Sequence, residues 1–151
     1  MTNCETKISE KTIFREGMFM NDFTKEELEE ALRAITSALS KSEKAQLKLK
    51  TGTFQHTMTV RGIKAYEIAI ELINGELGTN GKEELVERKY HKEELEDAFR
   101  VLDSFIKRVE KLKPKFETGT SQHTLAVRRI RAFVIATELI EKELIEKERS
   151  K

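Results

Sequence analysis

A seven-residue phrase that could bind a ligand occurs twice in the chain. TGTFQHT begins at Thr51 and TGTSQHT begins at Thr118, so the two copies lie 67 residues apart. Each copy carries threonine hydroxyls, a glutamine amide and an imidazole, which donate and accept hydrogen bonds. The 151-residue chain has only three histidines, and two of them belong to these copies. Such a pattern predicts either paired binding sites or paired structural turns.

The two copies lie in basic segments of a chain whose net charge is only +1. Residues 41–64 hold six Lys or Arg against one Glu, and residues 108–131 hold seven against two, so each segment carries +5. A glycine turn that leads into a helix offers free backbone N–H groups at the positive end of the helix dipole, which favours anions. We therefore expect one shared anion site or two equivalent ones, with these ligand-binding residues: Thr51, Thr53, Gln55, His56, Arg61, Thr118, Thr120, Gln122, His123 and Arg128.

The same residues do not form a catalytic pattern. Two-histidine phosphoesterases use paired H-x-[ST] motifs, whereas here the third position is Met58 in one copy and Leu125 in the other. No serine or cysteine is marked as a nucleophile beside a base and an orienting acid. The histidines also lack the HxxxH or HxxE spacing that places metal ligands on one helical face. The sequence thus predicts a protein with no catalytic residues, no metal and no cofactor.

The repeat extends well beyond the motif. Residues 51–77 and 118–144 are identical at 17 of 27 positions, and residues 23–50 and 90–117 at 11 of 28. In both copies apolar residues recur at spacings of three and four, which is typical of amphipathic helices. Each copy therefore predicts a helical hairpin whose turn is the glycine-containing motif, with Thr53 or Thr120 capping the second helix. The fold class expected is all-α, with two tandem hairpins that form a four-helix bundle-like domain.

Local signals divide the chain into four parts. Residues 1–22 form an N-terminal arm, 23–78 the first hairpin, 79–89 a linker and 90–148 the second hairpin, all within one compact domain. Thr24 followed by Glu27 forms a capping box, which starts the first helix. Pro114 lacks a backbone N–H, so it ends or kinks the third helix. Asn and Gly residues from Asn74 onward indicate the linker.

A helical wheel of the second helix in each hairpin shows a broad apolar arc. Gln55 falls inside this arc and His56 at its border. Only a narrow strip around Lys64 and Glu71 is expected to be freely solvated, which predicts that the helix is central, with neighbours on two sides, or forms a subunit interface. Val60 and Val127 repeat each other outside the arc and are candidate interface residues. Phe14 and Phe19 are also candidates, because they belong to an apolar part of the N-terminal arm that could pack on the bundle or on a partner.

The remaining composition indicates a cytoplasmic protein. Cys4 is the single cysteine, so no disulfide framework forms within the chain, as suits a reducing compartment. The opening residues MTNCETKISEK contain no apolar run of the kind that secretory signals have. No apolar stretch approaches the ~20 residues of a membrane span, so no membrane association is expected.

Two functions from different classes remain open. The first is a cytosolic binding protein for an anionic, phosphate-bearing small molecule, such as a nucleotide sensor or a phage-type nucleotide-sequestering protein. The second is a protein-interaction module, such as a phage-encoded adaptor or inhibitor or a homo-oligomer, in which the motif is only architectural. Nucleic acid is a weaker candidate partner, because the basic segments lack the interleaved exposed aromatic residues that favour single-strand binding.

Overall fold

The computed structural model describes residues 23–78 and 90–149, and within these ranges the chain contains four helices and no strand. We number them α1 (Lys25–Lys48), α2 (Phe54–Leu77), α3 (Lys92–Leu112) and α4 (Ser121–Arg149), with a short 3-10 helix at Lys113–Lys115. The predicted all-α class is confirmed. The expected arm at 1–22, with Phe14 and Phe19, and the expected linker at 79–89 lie outside the described residues.

The helix boundaries follow local chemistry. The Thr24 hydroxyl accepts from the Glu27 backbone N–H at 3.0 Å, and the Glu27 carboxylate accepts from the Thr24 N–H at 2.9 Å, so the predicted capping box is confirmed. Pro114 lies in the 3-10 helix that follows α3, in agreement with its predicted role. Asn74 and Gly75, in contrast, do not end α2, which continues to Leu77.

Gly78 is the residue that ends α2. Its φ of 73° is left-handed, a conformation that glycine adopts without the steric penalty of a Cβ. Its backbone N–H donates to the carbonyls of Asn74 and Gly75. Asn74 and Gly75 therefore belong to the last turn of α2. The helix ends at Gly78, three residues after the first glycine of the predicted linker signal.

The four helices pack as two hairpins that share a core. α1 packs on α2 and α3 on α4, while α1 also packs on α4 and α2 on α3. α2 and α4 contact each other directly, so the second helix of each hairpin has three neighbours. This confirms the expectation that these helices are central. The core is aliphatic through most of its length, and its largest fully buried side chains are Ile35, Ile68, Ile73, Leu95, Leu102 and Ile140.

α2 and α4 run in the same direction and nearly in register. Tyr66 stacks on Phe133 with ring centroids 6.1 Å apart, and the Lys142 ammonium contacts the Glu76 carboxylate at 3.0 Å. The two pairs have sequence offsets of 67 and 66, so the helices stay aligned over ten residues. Parallel α2 and α4 place both hairpin turns at the same end of the bundle, which we call the turn end.

None of the described helices is both long enough and apolar enough to cross a lipid bilayer.

Candidate functional site

The two motif turns have the same local structure. Gly52 and Gly119 adopt φ values of 95° and 94°, which L-residues with a Cβ rarely adopt. After each glycine, a threonine hydroxyl accepts from the backbone N–H three residues later: Thr53 from His56 and Thr120 from His123, both at 3.2 Å. The predicted N-caps are thereby confirmed.

The cap hydroxyls also close the turns that precede them. Thr53 Oγ1 donates to the Lys50 carbonyl at 2.8 Å, and Thr120 Oγ1 donates to the Glu117 carbonyl at 2.7 Å. Each hydroxyl thus uses its proton and a lone pair within its own turn. These contacts give Thr53 and Thr120 a structural function in the hairpin.

The other motif residues differ in exposure. The side chains of Thr51, Gln55, Thr118 and Gln122 are exposed, and those of His56 and His123 are half-buried. The expectation that Gln55 lies in the buried arc of α2 is wrong. Burial in α2 begins at Gly62, about two turns later, because the first turn of the helix projects past the packed part of the bundle.

The two predicted arginines have different settings. Arg61 forms a two-point ion pair with Asp97 of α3, with Nη2 to Oδ1 at 2.6 Å and Nε to Oδ2 at 3.3 Å. Arg128, at the equivalent position of α4, is exposed. Arg61 therefore links the two hairpins, although the sequence pattern assigned it to an anion.

The predicted interface residues of the second helices face solvent. Val60 is 40% exposed and Val127 is 39% exposed, on the side of each helix opposite to the core. Two further apolar side chains at the first turn are more exposed, Leu47 at 87% and Phe54 at 76%. The predicted interface role of Val60 and Val127 stays a prediction.

The described part of the molecule is electrostatically polarised along the helices. The basic segments 41–64 and 108–131 surround the two turns and together carry +10. The remaining described residues hold eight Lys or Arg against seventeen Asp or Glu, which gives −9. Because both turns lie at one end, the turn end is cationic and the opposite end is anionic. A field of this kind raises the local concentration of anions near the turn end.

A cavity of about 370 Å³ lies between the hairpins in the cationic half, and all four helices line it. This volume falls within the range of small-molecule sites. Three of its lining residues are cationic and none is acidic. The residues are Ala38, Lys41, Ser42, Met58, Thr59, Gly62, Tyr66, Phe105, Arg108, Val109, Leu112, Arg129 and Phe133.

Polar groups from all four helices converge on the Tyr66 hydroxyl in this cavity. Burial raises the pKa of Tyr66 above its ordinary value of 10.0, while the Arg129 charge, a hydrogen bond with Ser42 and the Arg108 charge act in the opposite direction. Arg108 also lies over the Phe105 ring, with its Cζ 5.4 Å from the ring centroid. The arrangement offers hydroxyl and guanidinium donors to an anion.

None of the ten predicted ligand-binding residues lines this cavity. The sequence signal that could have located it is the charge excess, since Lys41, Arg108 and Arg129 all belong to the two basic segments. A second signal is Gly62, a glycine within α2 at the position where the second copy has Arg129. Both signals depend on how the hairpins face each other, which a repeat alone does not specify.

Metal ligands do not gather in the described residues: no group of three or more His, Cys, Asp or Glu side chains comes together there. The chain was also compared with known proteins. No protein-family model, no curated protein and no solved structure matches it.

Proposed function

We propose that the protein is a non-catalytic, cytosolic binding protein that holds an anionic, phosphate-bearing small molecule in the cavity between its hairpins. The observation that carries this proposal is the cavity lining, in which Lys41, Arg108 and Arg129 meet without any Asp or Glu. Cations that line a concave site without carboxylates are available to an external anion. The surrounding +10 half of the molecule favours the same class of ligand.

The donors suit a phosphate group in chemistry and in placement. A guanidinium binds two phosphate oxygens through parallel N–H groups, and the compact Lys41 ammonium adds charge. The Ser42 and Tyr66 hydroxyls supply neutral donors beside these cations. Arg129 and Ser42 are half-buried, which strengthens hydrogen bonds to them, whereas Lys41 and Arg108 are exposed.

The motif has an indirect function in this proposal. Its capped turns orient α2 and α4, the helices that carry Tyr66 and Arg129 to the cavity. Thr51, Gln55, His56 and their counterparts in the second copy lie at the same cationic end of the molecule. A nucleotide sensor or a nucleotide-sequestering protein has the required chemistry.

Native mass spectrometry of the protein purified from its own host tests the proposal. We expect a retained anionic small molecule at one per chain, which is lost in the Arg129→Glu variant. Arg128→Glu is the matched control, because Arg128 is the next residue in α4, carries the same charge and does not line the cavity. Absence of any retained anion, with no thermal stabilisation by phosphate-containing compounds, would contradict the proposal.

A protein-interaction module is the second candidate, and one observation favours it. Leu47 and Phe54 flank the first turn and are largely exposed, and Val60, farther along α2, is 40% exposed. Exposed apolar side chains that lie close together often mark an interface. In this case a Leu47→Ser, Phe54→Ser double variant should lose a co-purifying protein and keep its melting temperature. A double variant that is less stable but loses no co-purifying protein would contradict this candidate function.

A further inference from the structure

The cavity is built from equivalent positions of the two repeat copies, yet its sides differ. Ten of the thirteen lining residues fall into five pairs that are 67 positions apart. In two of these pairs a small residue in one copy corresponds to a large one in the other: Gly62 with Arg129, and Ala38 with Phe105. The small residue belongs to the first copy in both pairs, and because Ala38 lies on α1 and Gly62 on α2, the two exchanges leave space at different sides of the cavity.

On the side formed by α2 and α3, the wall is mostly apolar and closely packed, and its cation, Arg108, lies over the Phe105 ring. A Cβ added at Gly62 would lie 3.2 Å from Phe105 Cζ, so the absence of a side chain lets the ring approach the helix. Phe105 also contacts Tyr66 and Phe133, with centroid distances of 5.7 and 6.0 Å. The other apolar residues of this wall are Met58, Val109 and Leu112.

On the side formed by α1 and α4, the wall is polar and cationic. Ala38 leaves space where the second copy has Phe105, and Arg129 supplies a half-buried guanidinium where the first copy has Gly62. Lys41 and Ser42 lie on the same side. A ligand in the cavity therefore meets two cations and a hydroxyl at one side, and at the other a mostly apolar, partly aromatic surface whose cation is Arg108.

On this basis, and resting on the proposed function, we infer that the cavity binds one amphipathic ligand per chain, an aromatic phosphomonoester. Its phosphate contacts Arg129, Lys41 and Ser42, and its ring lies against Phe105 and the apolar wall. One orientation is favoured because the two copies differ at Gly62 and Arg129. The duplicated motif would suggest two equal sites, whereas the geometry provides one site between the copies.

Titration with 1-naphthyl phosphate tests the inference on the full chain. The chain has no tryptophan, so naphthyl fluorescence anisotropy is measured without overlapping indole emission. We expect binding at one per chain, with 1-naphthol and inorganic phosphate each at least tenfold weaker as competitors. Arg129→Ala should weaken binding tenfold or more and Arg128→Ala less than twofold. Ala38→Phe, which fills the polar side, should abolish binding, with helix content checked by circular dichroism.

Different failures have different meanings. If inorganic phosphate competes as well as 1-naphthyl phosphate, the amphipathic ligand is ruled out and anion binding stands. If 1-naphthol binds as well as its phosphate, or if no probe binds, both the inference and the proposed function are overturned. If the Arg129→Ala and Arg128→Ala variants lose the same affinity for 1-naphthyl phosphate, the binding reflects general charge attraction, and the assigned orientation is overturned.

Discussion

Tyr66 and Phe133 stack on each other with their rings inclined by 15°, and they are the same position of the two repeat copies. The contact joins α2 to α4 at the inner side of the cavity, and Phe105 of α3 completes the cluster. Each hairpin thereby contributes the equivalent aromatic residue to a shared core. Substitutions at equivalent positions of the two copies can therefore be compared within one molecule.

Removal of the cap hydroxyls should destabilise both hairpins by similar amounts. Thr53→Ala and Thr120→Ala each lose a side-chain bond to the N–H of a histidine, and N-cap losses cost about 0.5–2 kcal/mol. We expect the free energy of unfolding from urea titration to fall in this range for either variant. Thr51→Ala is the control, because Thr51 is exposed and precedes the cap; its change should stay within about 0.5 kcal/mol. A Thr51 variant as unstable as the cap variants would contradict this assignment.

The Arg61–Asp97 pair should contribute a modest coupling energy between the hairpins. The side chains are 39% and 40% exposed, so water screens much of their attraction. Exposed pairs contribute about 0.2–1 kcal/mol, and the two-point geometry places this one near the upper part of that range. A double-mutant cycle with Arg61→Ala and Asp97→Ala measures the coupling. It should decrease with added salt. A coupling that is zero, or that salt leaves unchanged, would show that the pair does not link the hairpins.

Much of the fold could be predicted because its signals are local. The Thr24 and Glu27 capping box, Gly52 and Gly119 in the turns, and Pro114 after α3 each act through bonds within four residues, so the sequence is sufficient to find them. Their positions also define the two hairpins. The all-α class follows from these signals together with the helical periodicity.

The cavity could not be predicted in the same way, because it depends on the rotation of one hairpin against the other. Arg61 and Arg129 both belong to basic segments, yet Arg61 meets Asp97 and Arg129 lines the cavity. Gln55 is a similar case. A helical wheel shows which side of α2 Gln55 lies on, but it does not show that the neighbouring helices cover that side only from Gly62 onward. Long-range contacts thus decided which polar residues could form a site.

Alkaline conditions should destabilise the fold through its two tyrosines. Burial raises the pKa of Tyr66, and burial together with the negative charge of Glu71 raises the pKa of Tyr90. A folded-state pKa above the unfolded value contributes stability that is present below pH ~10 and is lost as the pH rises through the folded pKa. The free energy of unfolding should therefore fall above pH 10. In a Tyr66→Phe, Tyr90→Phe double variant the free energy of unfolding should depend much less on pH above 10. If the pH dependence is unchanged, groups other than the two tyrosines cause it.

Alanine substitutions at two glycines of α2 should have unequal effects. Glycine inside a helix is less stable than alanine by about 0.5–1 kcal/mol, so Gly75→Ala, which meets no atom within 4 Å, should stabilise the protein by about that amount. Gly62→Ala gains the same helix propensity, but its Cβ lies 3.2 Å from Phe105 Cζ. Phe105 lines the cavity, so a ring displaced by this contact has space to move into it.

We therefore expect Gly62→Ala to be less stable than Gly75→Ala by about 1 kcal/mol or more, because an extra methyl group in a packed core costs about that much. Because the displaced ring occupies part of the cavity, Gly62→Ala should also weaken 1-naphthyl phosphate binding, whereas Gly75→Ala should leave it unchanged. Urea unfolding and fluorescence anisotropy measure the two effects separately. If Gly62→Ala is as stable as Gly75→Ala and binds normally, Phe105 does not depend on the absence of a side chain at position 62. The apolar wall would then have to be assigned to other residues, because a ring free to move cannot hold a ligand in one orientation.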